Sequence, residues 1–208
     1  MRICAYPVTI LLTVAGAVAG LALGIVFNRL YHSRLWLLPV MIRFVCEFIR
    51  NTPFLIQLFF VFFGLPALGL RLTPLQAAFL ATSLNIAAYS AEIVRAGLQI
   101  TPRGQIEAAL SLGMTRAECF WRIMLLPALQ RTWPALSSQL VLVMLGSAVV
   151  SQISIADLSS AANFIQSRNF RAFETYFVLT LLYMVLSLAY RYLLACIGRF
   201  IFPRGAAV

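Results

Sequence analysis

The sequence predicts an all-α membrane protein, a polytopic bundle of five transmembrane helices, and three observations carry that expectation. Of 208 residues, 62% are hydrophobic and 11% charged, outside the usual range of a soluble globule. Five stretches lack any charged residue, Ile3 to Asn28, Asn51 to Leu70, Leu72 to Ala91, Thr132 to Ala156 and Thr175 to Tyr190. About 20 helical residues at roughly 1.5 Å each cross a ~30 Å hydrocarbon layer, so the first four suffice as they stand. The fifth suffices once Glu174 and Arg191 are placed at the two interfaces, where charge is tolerated. Third, the basic residues crowd into alternate connections, as a membrane topology requires.

Span one is expected over residues 6–28. A cleavable signal peptide competes for the same segment, and the length of its apolar run argues against that reading. Gly16, Gly20 and Gly24 recur at every fourth residue and strip one helix face to backbone, so a second helix can approach it closely. Before span two, Arg43, Glu47 and Arg50 stand at helical spacing and are read as local ion pairs. Thr52-Pro53 and Thr73-Pro74 each set a capping hydroxyl ahead of a proline suited to the first helical position. They open spans two and three, over 52–70 and 73–94, joined as an antiparallel hairpin.

Residues 101–131 are too charged to be a span. Thr101-Pro102 opens a helix through Leu112, and Gly113 can take the left-handed conformation that ends it. Thr115-Arg116-Ala117-Glu118 has capping-box spacing and opens a second helix expected to stop near Leu126, before Pro127. The outcome is two short amphipathic helices hinged at a glycine. Span four follows over 132–153. Ser154 to Asp157 then reads as a cap for a short external helix through Gln166, in a solvated loop that also holds Arg168 and Arg171. Span five is expected over 172–195.

With five spans, one set of connections holds Arg29, Arg34, Arg43, Arg50, Arg95, Arg103, Arg116, Arg122, Arg131, Arg199 and Arg204, and the other only Arg2, Arg71, Arg168 and Arg171. The positive-inside rule makes the richer side cytoplasmic, with the N-terminus outside and the C-terminus inside. The net charge of +10 therefore follows the membrane and argues against a nucleic-acid partner. All sixteen basic residues are arginine, so no Walker A lysine is present, and any ATP-driven work needs a second polypeptide to bind ATP and Mg. Cys4, Cys46, Cys119 and Cys196 are widely spaced and read as free thiols, with no metal site and no cofactor in this chain. His32 reads as a surface residue of the first cytoplasmic connection.

Glu107-Ala108-Ala109, Gly113 and Ile123 together resemble the EAA loop of binding-protein-dependent ABC importer permeases. Arg50-Asn51-Thr52-Pro53 with Gln57, and Asn85 with Tyr89, Glu92, Arg95, Gly97 and Gln99, resemble the permeases for polar amino acids and opines (histidine, glutamate, glutamine and arginine types). The similarity runs from about Pro7 to Phe202. It implies a single MetI-like permease domain over 1–208 in a bacterial cytoplasmic (inner) membrane. The implied partners are an ABC ATPase dimer, a second permease (a heterodimer rather than a homodimer) and an extracytoplasmic substrate-binding protein. Glu107, Ala108, Ala109, Gly113 and Ile123 are then the ATPase-coupling residues. The chain departs from the family pattern in span four, where a common Lys-Asp-Thr-Ser-Leu stretch is replaced by Leu145-Gly146-Ser147-Ala148-Val149.

That loss leaves neutral side chains as candidates for the translocation path: Gln57, Asn85, Tyr89, Gln139, Ser147 and Ser151, with Ser83 and Gln152. Each can equally serve as interhelical glue. The charged contacts to a substrate are then expected from the partner permease. An ion-coupled secondary transporter or channel subunit is the alternative function, and it needs intramembrane acids that the spans lack. A membrane enzyme is unsupported, because one histidine and no buried acid–base pair offer no catalytic centre.

Overall fold

The computed structural model describes residues 5–31 and 37–202, all helix, turn or irregular chain. Arg2, Cys4, His32, Arg34 and Arg204 lie outside the described residues. The elements in order are α1 (Ala5–Tyr31), α2 (Leu37–Arg50), α3 (Phe54–Phe59), α4 (Pro74–Gln99), α5 (Arg103–Ser111), α6 (Arg116–Glu118), α7 (Leu126–Gly146), α8 (Leu158–Asn169) and α9 (Ala172–Ile201). Among the described residues, four helical runs are long and apolar enough to cross a membrane, or five if α2 and the run that begins with α3 count as one bent span.

Helix α4 is the axis of the bundle, and its composition explains why. Ala77, Ala78, Ala81, Ala87, Ala88 and Ala91 are buried along it, leaving room for neighbours on all sides. Lipid tails are as apolar as leucine, so membrane helices associate through close packing and not through the hydrophobic effect. The glycine face of α1 meets this alanine seam. A Cβ built at Gly20 falls 2.5 Å from Ile86 Cβ and 2.8 Å from the Ser83 carbonyl, which no real side chain tolerates. Asn28 pins the same seam, donating to the Ala91 carbonyl at 2.8 Å.

Thr73 caps α4 as expected, in a reciprocal capping box with Gln76, and Pro74 occupies the first turn. Span two is less regular. Its cap is Pro53 with no side-chain bond, because the Thr52 hydroxyl donates back to the Phe48 carbonyl at 2.8 Å. The helix then widens into a π segment, Phe60–Gly64, and tightens into a 3₁₀ turn, Leu65–Leu68. A second π segment, Cys119–Leu125, joins α6 to α7. Each π segment ends two residues short of a proline, Pro66 or Pro127. Proline cannot donate to the α ladder and crowds the carbonyl four residues back, and a locally widened coil relieves both.

This corrects the expected stop at Leu126. The chain stays helical through Pro127, and residues Arg116–Ile153 form one run of 38 residues. The second amphipathic helix of the 101–131 segment is therefore the lower end of span four. At the far end of that run, α7 passes into a 3₁₀ turn, Ser147–Ile153, closed by Ser154 in the left-handed conformation. The cap of α8 is Asp157 and not Ser154: its Oδ1 accepts from the Ser160 amide at 2.8 Å. Tyr183 on α9 donates to the other carboxylate oxygen at 3.4 Å, fastening α8 to the last span.

Helix α2 is an element for which the uncharged stretches give no signal, since its apolar residues are interleaved with charge. Cys46 and Ile49 face inward, while Met41, Phe44, Val45 and Phe48 are exposed. It meets the α3 run at 110°, a sharp corner, and packs against α1 and α4. The expected ion pairs within Arg43, Glu47 and Arg50 do not form. Arg43 reaches the Tyr31 hydroxyl, and Arg50 pairs instead with Glu92 of α4, at 3.5 Å.

Candidate translocation path and coupling elbow

The bend between α2 and α3 is held by polar side chains, and one cavity opens beside it. Gln57 donates to the carbonyls of Ile49 (2.6 Å) and Thr52 (2.7 Å), stapling the corner from inside. Asn85 donates to Gln57 Oε1 at 3.1 Å, and Tyr89 donates to the Arg50 carbonyl at 3.3 Å. Two consecutive turns of α4 thus grip the bend. Alongside, a cavity of about 490 Å³ is lined by Arg50, Asn51, Thr52, Asn85, Tyr89 and Gln139, with Leu142, Val143 and Gly146 completing the wall from α7. Its size falls within the ~300–1,000 Å³ of small-molecule sites.

Three of the residues singled out from sequence, Asn85, Tyr89 and Gln139, therefore share one cavity. Gln57 lies behind it as an anchor. Ser147 and Ser151 do not line it; their hydroxyls bond the carbonyls of Met144 (2.7 Å) and Ala148 (2.8 Å) in the 3₁₀ turn. Ser83 is buried against α1 and Gln152 is exposed, both away from the cavity wall. The wall also holds a cation that sequence reasoning assigned to a local ion pair. Arg50 lies 5.8 Å from the Tyr89 ring centre and pairs with Glu92, so the wall of this cavity is not wholly neutral. The signal was present in the Arg50-Asn51-Thr52-Pro53 motif, but only the 110° bend turns it toward α4.

Glu92 carries two arginines, because Arg95 on the next turn also bonds it, Nε to Oε2 at 3.2 Å. On the far side of this cluster lies a second cavity of about 320 Å³, lined by Tyr31, Arg43, Glu47, Arg50, Glu92 and Arg95. Arg50 belongs to both walls, so the ion pair with Glu92 stands between the polar cavity and a charged one.

The 101–131 segment is a tight elbow. Helix α5 ends in a Schellman motif: Met114 donates to the Ala109 carbonyl (3.2 Å), Gly113 to that of Leu110 (3.0 Å), and Gly113 sits at φ +83°. Thr115 and Glu118 close the expected capping box, with the Glu118 amide donating to Thr115 Oγ1 at 3.2 Å and the Thr115 amide to Glu118 Oε2 at 2.9 Å. The Thr115 backbone bond, then its hydroxyl, hold the Glu118 carboxyl below the usual carboxylate range. Thr101 is not the cap of α5. That place is taken by Pro102, and the buried Thr101 hydroxyl finds no partner.

Glu107, Ala108 and Gly113 are exposed on the elbow, Ile123 is half-buried in the π segment, and Ala109 is buried beneath α5. Ala108 alone of the alanine pair is therefore free to meet a partner, and Ala109 instead lets α5 pack on the π segment. Leu110, Leu112 and Trp121 add exposed apolar surface to the elbow, Leu112 at 84% exposure. Sequence reasoning missed them, although a charged, amphipathic segment with leucines off its buried face was a readable sign of docking.

A family model described as binding-protein-dependent transport system inner membrane component matches residues 16–202. The chain is a member of that family. It is thus a multi-pass permease of the inner membrane. A probable amino-acid permease protein, YxeN, of Bacillus subtilis (strain 168) is 30% identical over 189 residues, covering 89% of this chain and 84% of the relative. A solved amino acid ABC transporter with histidines aligns at TM-score 0.81 and 34% identity, over 92% of this permease and 89% of that chain. An inward-facing MetNI methionine ABC transporter aligns at TM-score 0.73 and 20% identity, over 95% and 92%, which establishes the MetI-like fold.

Proposed function

We propose that this permease forms half of the path by which an ABC importer takes a polar amino acid or opine-like solute into the cell. The observation that carries the reading is the cavity uniting Arg50, Asn85, Tyr89 and Gln139. A zwitterionic solute within the bilayer needs charges and hydrogen-bonding groups around it, and this wall offers a guanidinium, two amides and a phenol. The names of the relatives, an amino-acid permease and an amino acid transporter with histidines, support the substrate class. The chain performs no bond-breaking step; ATP and Mg are bound by a separate ATPase dimer.

Orientation follows the arginines, with the N-terminus outside and the C-terminus and elbow inside. Glu107, Ala108, Leu112 and Gly113 seat the elbow in a cleft of the ATPase dimer. Because α6 continues without a stop into α7, a push on the elbow turns span four, which forms one wall of the cavity. The ion pair between Arg50 and Glu92 closes the cytoplasmic end until then. A second permease supplies the charges missing from span four, which favours a heterodimer, and an extracytoplasmic binding protein delivers the solute.

The test is reconstitution of the permease with the products of its neighbouring genes. ATP-dependent uptake of a labelled amino acid, and an ATPase that co-purifies, are expected. Uptake that ignores ATP, or follows an ion gradient instead, overturns the proposal.

A further inference from the structure

A groove of about 660 Å³ runs between α7 and α9, away from both the path cavity and the elbow. From α9 and its cap it is lined by Arg191, Ala195, Gly198, Arg199 and Phe202, and from α7 chiefly by Arg131, Trp133 and Pro134. The α9 residues Arg191, Ala195, Gly198 and Arg199 recur at i, i+4, i+7 and i+8, one continuous helix face, and Phe202 follows as its cap. Three arginines therefore meet in one groove with no acidic residue in its wall, and none of them has an ion-pair partner among the described residues.

The floor is rigidly built. A Cβ at Gly198 would fall 2.5 Å from Trp133 Cδ1, so the indole lies directly on the α9 backbone. Its Nε1 donates to the Leu194 carbonyl at 3.0 Å, and its ring meets Phe202 edge-on at 5.8 Å between centres. The apolar floor stops at the arginines. Ser137, in the same wall, has a buried hydroxyl with no hydrogen-bond partner.

The depth of the groove indicates what fills it. Counting about 20 residues, one hydrocarbon thickness, down from Ile153 reaches Trp133, and the same count from Ala172 reaches Arg191. Both walls thus cross the membrane–water boundary at the groove, on the side that the orientation proposed above makes cytoplasmic. Tryptophan and arginine are the anchors expected at that depth. Above it, toward the bilayer centre, the flank of α9 is exposed and apolar, with Val185 and Leu188 open to the hydrocarbon. Basic pockets between spans on this side suit anionic lipid headgroups, and the apolar α9 flank above suits the acyl chains.

We propose that this groove binds an anionic phospholipid of the cytoplasmic leaflet, its phosphate held by Arg131, Arg191 and Arg199 beside Trp133 and its acyl chains lying along the α9 flank of Val185 and Leu188. Occupancy would tie α9 to the mobile wall of the path, since α7 forms both the groove and the polar cavity.

The test uses the complete transporter in nanodiscs of phosphatidylcholine doped with phosphatidylglycerol, with retained lipids counted by native mass spectrometry. The intact protein should hold phosphatidylglycerol over phosphatidylcholine by at least about tenfold. The triple variant Arg131→Gln, Arg191→Gln, Arg199→Gln should lose that preference, and the corresponding triple Lys variant should keep most of it. Loss of lipid preference in neither variant overturns the proposal, as does release of the lipid by excess inorganic phosphate, which would make the ligand a free anion. If the Gln variant fails to assemble, a photoreactive phosphatidylglycerol on the unaltered transporter decides. Adducts within 130–138 or 191–202 support the site, and adducts confined to other segments overturn it.

Discussion

Replacing Gly113 separates two ways in which the elbow could transmit force. Its φ of +83° lies in the left-handed region, and a Cβ built there meets nothing within 4 Å. The penalty for a side chain is therefore purely conformational, about 1–2 kcal/mol for an L-residue such as alanine and more for a β-branched one. Asparagine visits this region far more readily and should escape most of the cost. A loss of ~1–2 kcal/mol shifts the balance between the closed elbow and its opened alternatives by roughly 5- to 30-fold. In proteoliposomes holding the full transporter, uptake per ATP hydrolysed should fall several-fold for Gly113→Ala, further for Gly113→Val, and little for Gly113→Asn. If Gly113→Asn is as damaging as Gly113→Val, backbone geometry is not the cause. The exposed glycine would then be a contact surface for the ATPase, and the hinge argument fails.

Four further outcomes are expected. Gly20→Ala forces α1 off α4 at the point where a Cβ would lie 2.5 Å from Ile86, an overpacking cost of about 1–3 kcal/mol read as a lower melting temperature in detergent. An unchanged transition would mean that the seam is looser than described. Glu107→Arg should abolish substrate-stimulated ATP hydrolysis while leaving the permease in the membrane, so normal stimulation refutes its coupling role. Arg50→Gln removes a part-exposed ion pair worth about 0–1 kcal/mol, so stability should hold while the KM for uptake rises; a changed melting point with an unchanged KM contradicts this. Finally, because Glu118 titrates below its unfolded value, its contribution to the capping box is present above the ordinary carboxylate pKa and lost as pH falls through the lowered one. Amide exchange at residues 115–119 should accelerate over that acid window in the native protein and stay flat in Glu118→Gln.

Spans and caps were legible because their causes are local. Uncharged runs, the Thr73-Gln76 and Thr115-Glu118 boxes and the Gly113 turn all depend on residues within a few positions of each other. The boundaries that were misread were those where a longer-range demand competed. Thr52 bonded back to Phe48, Asp157 displaced Ser154 as a cap because Tyr183 was there to hold it, and Pro127 was absorbed by a π segment. Proline and threonine signal a helix end from sequence, but whether the chain stops or widens is settled by what the neighbouring spans leave room for.

The sequence by itself determined that this chain is a membrane permease with a charged, glycine-hinged elbow and no lysine, since hydropathy, charge placement and turn spacing are properties of the linear order. Which polar residues face one another was decided only by the tertiary structure. Gln57, Asn85 and Ser147 are alike as neutral groups in apolar runs. The 110° bend at α2 and the close α1–α4 seam set one behind the cavity, one in its wall and one within a 3₁₀ turn. The same bend carries Arg50 onto α4. A linear pattern reports what each residue can do, and only the contact of distant turns reports what it is given to do.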